Sequence, residues 1–254
     1  MKRKIESRQP RQLRKRVVGA GITEFWYLKH LKPLLGLNIE LQPRLFGNET
    51  MGNINKLIEE GLEIGSDVIC FFDEDIKQWN QVEAKRITEL HKKYDNDKRV
   101  TLGCSMPSIE YWFLLHYENT NRHLRTSHDA IKALQKYIAQ FDKKENFLRH
   151  QKWVAELIKD GKMEAAMKRA ESLGRSGASY TDVWKAIKEM TPITSFIDDI
   201  SESVIYRFFR NFSLLSITTV EYKQNGLYES RKILHGRNET LSGFHIIQLL
   251  FKFI

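Results

Sequence analysis

The sequence predicts an α/β protein: a mainly parallel sheet flanked by helices, with a helical insertion and a C-terminal appendage. Three observations carry this reading. Short β-branched or aromatic runs alternate with helical stretches of roughly ten to fifteen residues. The run VICFF at 68–72 holds no polar side chain larger than a thiol, as expected of a strand covered on both faces. The texture of the chain then changes twice, becoming Lys-, Glu- and Ala-rich at His128 and aromatic and β-branched beyond Pro192. With 254 residues, 41% of them hydrophobic, there is material for one α/β domain and an additional piece. The expected division is a basic arm at 1–15, a domain at 16–192 with its helical insertion at 128–174, and an appendage at 193–254.

The arm reads MKRKIESRQPRQLRK, and residues 16–19 after it form a short apolar strand. Gly21 makes a tight turn, and Thr23 and Glu24 open a helix running to 35. NIELQPRLF at 38–46 alternates with Ile39, Leu41 and Leu45 on one face, and Pro43 places that strand at an edge or on a bulge. Ile54, Leu57, Ile58 and Leu62 recur at helical spacing within 53–64, and Gly65 leads into the strand at 68–72. A charged amphipathic helix at 82–94, a strand at 99–104 and an aromatic-rich helix at 108–117 complete the alternation. Such a sheet presents its functional groups at the C-terminal strand ends. The helical stretch at 128–173 breaks at 174–178 before a last helix at 180–190. The appendage ends in HIIQLLFKFI, for which packing onto the sheet is a simpler reading than a partner surface.

Charge points to partners. The formal net charge is +9, so polyanions are the natural ligands. The arm either contacts phosphates irrespective of sequence or is a solvated tail. No apolar run is long enough to span a bilayer or serve as a signal, which leads to the expectation of a soluble, cytoplasmic protein without a membrane partner. Cys70 and Cys104 sit inside apolar runs and read as small buried hydrophobes rather than a disulfide or metal pair. No P-loop or other nucleotide-binding glycine motif is present, so any ATP hydrolysis is expected in trans.

Chemistry concentrates at Asp73, Glu74 and Asp75, which follow the buried strand directly. In an extended or turning backbone Asp73 and Asp75 point the same way. Two hard oxygen ligands, with substrate phosphate and water, suit octahedral Mg²⁺. The alternative is an acidic helix start that complements the helix dipole.

Three segments resemble the RloB-like family and related TOPRIM proteins. VVGAGITEFWYLKHL is similar to the family's opening, an acid ending the first strand, then glycine, then a Thr-Glu pair; Gly21, Thr23 and Glu24 match, but Ala20 stands where the acid is expected. SMPSIEYWFLLHY resembles a Ser-Asn-Pro segment followed by Glu, Trp and His; Ser105, Pro107, Glu110, Trp112 and His116 match, and Met106 departs. GASYTDVWKAIKEM resembles the closing helix. The resemblance implies a TOPRIM fold in which Asp73 and Asp75 hold Mg²⁺, with Mn²⁺ as a substitute, and Glu110 is a further ligand, a supporting residue or simply an acid at a helix start. Glu24 either assists the metal or is a first-turn acid, Glu74 is a bystander, and His116 reads as a packed histidine before a catalyst.

The same resemblance implies an antiviral abortive-infection effector, a metal-dependent nuclease acting on RNA (tRNA included) or DNA and working with an AAA- or ABC-type ATPase. Homodimerisation is left open. Alanine cannot bind a cation, so the chain is expected to be catalytically crippled at position 20. Either the acid was replaced to silence a toxic nuclease, which the intact acids favour, or the lineage has lost catalysis. The rival readings are a non-catalytic nucleic-acid-binding subunit and a regulatory module of an ATPase complex.

Overall fold

The computed structural model describes residues 14–42, 50–175 and 177–191, and the backbone of strands at 215–224, 227–236 and 240–241. The chain forms two compact units, Met1–Thr191 and Pro192–Ile254. In the first, β1 (Lys15–Gly19), α1 (Ile22–Leu34), β2 (Ile39–Gln42), α2 (Met51–Glu63), β3 (Val68–Asp73), α3 (Gln81–Tyr94), β4 (Val100–Met106) and α4 (Ile109–Leu115) follow the expected alternation. A helical insertion follows, made of α5 (Ser127–Leu134), α6 (Glu145–Leu148), α7 (Lys152–Ile158) and α8 (Lys162–Leu173). The unit closes with β5 (Tyr180–Thr181) and α9 (Val183–Met190).

The five strands run in the order β2-β1-β3-β4-β5, parallel except for β5, which pairs antiparallel with β4. The mainly parallel α/β architecture is therefore the expected one. The sheet is buried on both faces because side chains alternate across it. Val17, Ile69 and Phe71 join a core with α1, α4, α9 and the insertion, whereas Val18, Val68, Cys70 and Phe72 join one with α2 and α3. Both cysteines are free and fully buried, as their apolar runs suggest.

Helix starts are set by side-chain caps. Thr50 accepts from the Asn53 amide, so α2 begins two residues before the apolar spacing indicates. Asn80 accepts from Val82 and Glu83, and Thr126 forms a capping box with Asp129. The stretch at 180–190 departs from expectation. It is a helix only from Val183, because Tyr180 and Thr181 pair with Met106 and Ser105 and form a short edge strand that periodicity over two residues cannot reveal.

The second unit contains the antiparallel pair β6 (Leu215–Gln224) and β7 (Leu227–Gly236), in register from Leu215↔Gly236 to Gln224↔Leu227. The short β8 (Thr240–Leu241) adds to β7. The sequence reading assigned no strands there. The basic arm up to residue 13, the end of the alternating stretch at 43–46 and the apolar terminus lie outside the described residues.

Gly61 lets α2 approach β3 closely: a Cβ there would lie 2.6 Å from Val68 Cγ2 and 3.1 Å from Arg16 Cδ. Gly61→Ala is expected to lower stability by about 1–2 kcal/mol, because overpacking outweighs the helix-propensity gain of about 1 kcal/mol. Denaturant unfolding checks this, and a stabilised variant would contradict the close approach.

Candidate functional site

The parallel strands deliver their acids to one edge. Asp73 is the last residue of β3, and its Oδ1 accepts the Ile109 amide at 2.9 Å, which ties it to the start of α4. Asp75, buried, opens a 3-10 turn, Asp75–Gln78. Glu110, in the first turn of α4, is fully buried and its Oε2 accepts from Ser108 Oγ at 2.6 Å. Glu24, in the first turn of α1, is buried too and folds back over Gly21: a Cβ on Gly21 would lie 2.6 Å from Glu24 Oε2. Glycine at 21 is thus required for this close approach. The fifth member is Lys143, between α5 and α6, whose Nζ lies 3.1 Å from Glu110 Oε1.

Among the described residues one ammonium, that of Lys143, serves four carboxylates. Burial, then the nearby Glu110 and Asp75 charges, raise Glu24 to about 7, although Lys143 opposes the rise. Burial and the charges of Glu24 and Glu110 hold Asp73 well above the usual carboxylate range, and burial with Glu110 raises Asp75. Burial alone would lower Lys143; Glu110, Asp73 and Glu24 hold it above its ordinary value instead. Glu110 Oε1 is buried and has no hydrogen bond beyond its ion pair with Lys143. Glu24, Asp73, Asp75 and Glu110 lie near enough to act on one another's charge, and they are hard oxygen donors of the kind that suits Mg²⁺ or Mn²⁺, but among the described residues no three of them bring donor atoms within 4.8 Å of one another.

The second acidic network lies on the α2–α3 side of the sheet and turns Glu74 from an expected bystander into a structural hub. Glu74 is fully buried, with Oε1 2.8 Å from His91 Nε2, and it accepts from Lys77 Nζ and, at 2.7 Å, from Tyr180 Oη. Burial opposes its ionisation, but hydrogen bonds from His91 and Lys77 hold it far below the usual range. Arg175 donates to Cys104 Sγ at 2.8 Å and to Asp182 Oδ2 at 2.7 Å. Glu74, His91 and Cys104 offer donor atoms within 4.8 Å of one another. Yet Lys77 and Arg175 are packed against those same atoms, so the chain's own cations balance this cluster.

Ala20 and His116 fall outside the acidic group. The Ala20 amide donates to Phe71 O at 3.1 Å, one residue beyond β1, and its methyl, like Ile76, packs on the α2–α3 side. Glu24 is therefore the acid that the β1–α1 connection brings to the site. His116 is buried beside Trp112, with Nδ1 2.9 Å from Trp112 O, and burial lowers it to about 3. It is a neutral packed histidine and is not brought to the carboxylates. Sequence reasoning did not single out Lys143. It is one of 41 basic residues, and no local pattern marks it.

A parallel sheet that gathers acids at its C-terminal edge defines an α/β protein with a largely buried carboxylate site there. The chain belongs to the RloB-like family: the family model described as RloB-like protein matches residues 17–190, from β1 to the end of α9. No curated protein and no solved structure matches it significantly. Among the described residues no helix is long and apolar enough to cross a membrane.

Two outcomes are expected. In metal-free protein, Glu24 and Asp73 bind protons more tightly folded than unfolded, so stability falls as pH rises from the ordinary carboxylate range to about 7. Glu24→Gln should remove on the order of 3 kcal/mol of that fall, measured by urea unfolding in chelator at pH 5 and pH 8. Glu74→Gln should instead cost about 2 kcal/mol at neutral pH with or without divalent ions, because it weakens a buried ion-paired hub outside the carboxylate site.

Proposed function

We propose that the chain is a TOPRIM-type, Mg²⁺-dependent nuclease of antiviral abortive-infection defence, with catalysis crippled because Ala20 brings no acid to the end of β1 and leaves Glu24 as the one acid of the β1–α1 connection. The observation that supports this most is the convergence of Glu24, Asp73, Asp75 and Glu110 on one edge of the sheet. Asp73, Asp75 and Glu110 are the ligand set, and Glu24 is the acid nearest the end of β1. A bound Mg²⁺, or Mn²⁺ in its place, supplies activation of the attacking oxygen and neutralisation of the scissile phosphate. Ser108 and the Ile109 amide hold two of the carboxylates in place. The substrate is RNA, tRNA included, or DNA; the net charge of +9 favours a polyanion without choosing between them. An AAA- or ABC-type ATPase partner restrains the nuclease in the cytoplasm until infection is sensed.

A second reading is a non-catalytic nucleic-acid-binding or regulatory subunit, which the alanine at position 20 favours. Cleavage of tRNA, single-stranded DNA and duplex DNA in Mg²⁺ separates the two, using the chain as it stands, Ala20→Glu, and Ala20→Glu combined with Asp73→Asn, each with and without the ATPase. The nuclease reading expects cleavage by A20E, at most traces by the parent, and a return to background in the double variant. Absence of cleavage under every condition, with nucleic acid still bound, would leave the binding subunit.

A further inference from the structure

We propose that Lys143 is a tethered countercation of the carboxylate cluster, which a divalent ion displaces from its place beside Glu110 when it binds. This rests on the metal-site reading above and adds to it a competing cation built into the chain.

Lys143 Nζ lies 3.1 Å from Glu110 Oε1 and 3.4 Å from Oε2, and among the described residues it pairs with Glu110 alone. Its charge also offsets ionisation at Glu24, Asp73 and Asp75, so it stands among the groups that would surround a metal ion. An ammonium and a divalent cation within a few ångströms of each other repel strongly in a partly buried site. They compete for the same oxygens, and a doubly charged ion held by several of them has the stronger claim.

The chain around Lys143 allows the exchange. Phe141, two residues earlier, is anchored in the core against Phe113, and its carbonyl accepts from Gln135 Nε2 at 2.9 Å. The backbone there is fixed. The Lys143 side chain, in contrast, is 37% exposed and reaches the acids from the solvent side on a flexible stem, so it can leave without moving the helices. Once displaced, the ammonium stands at the rim, where an incoming phosphate replaces Glu110 as its partner. Metal and phosphate then support each other's binding through this one side chain.

The test is divalent-ion binding by calorimetry at constant ionic strength, with Mg²⁺ and Mn²⁺ as the probes and no substrate present. Lys143→Met is expected to bind roughly tenfold more tightly than the parent. Lys143→Arg should bind like the parent, and so should Lys144→Met, whose lysine is exposed and paired to Asp142. Equal or weaker binding by K143M would overturn the proposal. A second readout avoids a neutral variant that folds poorly: the Lys143 Nζ resonance of the parent, assigned with K143R, should shift as Mg²⁺ is added. A resonance that stays put while Mg²⁺ binds would overturn the proposal as well. If neither the parent nor K143M binds either ion, the metal-site reading itself fails and the inference falls with it.

Discussion

Burying several carboxylates side by side is costly unless something compensates, and the C-terminal edge of this sheet is organised around that cost. β3 is apolar until its last residue, so Asp73 emerges where water is already scarce. Each neighbouring element then contributes one accommodation. Gly21 leaves room for the Glu24 carboxylate, the Ile109 amide binds Asp73, Ser108 binds Glu110, and Lys143 brings an ammonium. The compensation is incomplete, as the raised proton affinities of Glu24, Asp73 and Asp75 attest. An arrangement that holds acids together at this cost is suited to binding cations.

The three consecutive acids at the end of β3 take two different roles. Asp73 and Asp75 turn toward α4 and its Glu110, whereas Glu74 turns into the α2–α3 side and meets His91, Lys77 and Tyr180. The two networks share a strand end but differ in balance. Around Glu74 the cations Lys77 and Arg175 satisfy the charge, and His91 is held more basic than usual by its bond to Glu74. That cluster ties β3 to α3 and β5 and so stiffens the turn carrying Asp75. The underfilled cluster is the one on the other side.

Much of this was legible in the sequence, for physical reasons that differ by residue. The apolar run ending at Asp73 and the alternation with amphipathic helices are periodic signals, and they reported the sheet and the position of its acids. Glu24 and Glu110 were identified through motif resemblance, and their proximity became plain only once α1 and α4 were placed on the same side of the sheet. Lys143 was illegible, because its role comes from the folding of the insertion back over the strand ends and not from its neighbours in sequence. The structural part that Glu74 plays, apart from the carboxylate group, was illegible for a related reason. Alternation along a strand does not say which partners wait on the far face, and His91, Arg175 and Tyr180 come from elements far away in the chain. The two-residue β5 fell below the length at which periodicity carries information.

The central claim is that the site formed by Glu24, Asp73, Asp75 and Glu110, and not the Glu74 cluster, is the cation site. Anomalous scattering from a crystal grown with Mn²⁺ tests it most directly. The account predicts a manganese peak in contact with Asp73 and Asp75, at about 2.1–2.2 Å from their oxygens, with Lys143 moved away from Glu110. A peak held by Glu74, His91 and Cys104 with the carboxylate site empty, or no peak at saturating Mn²⁺, would contradict it.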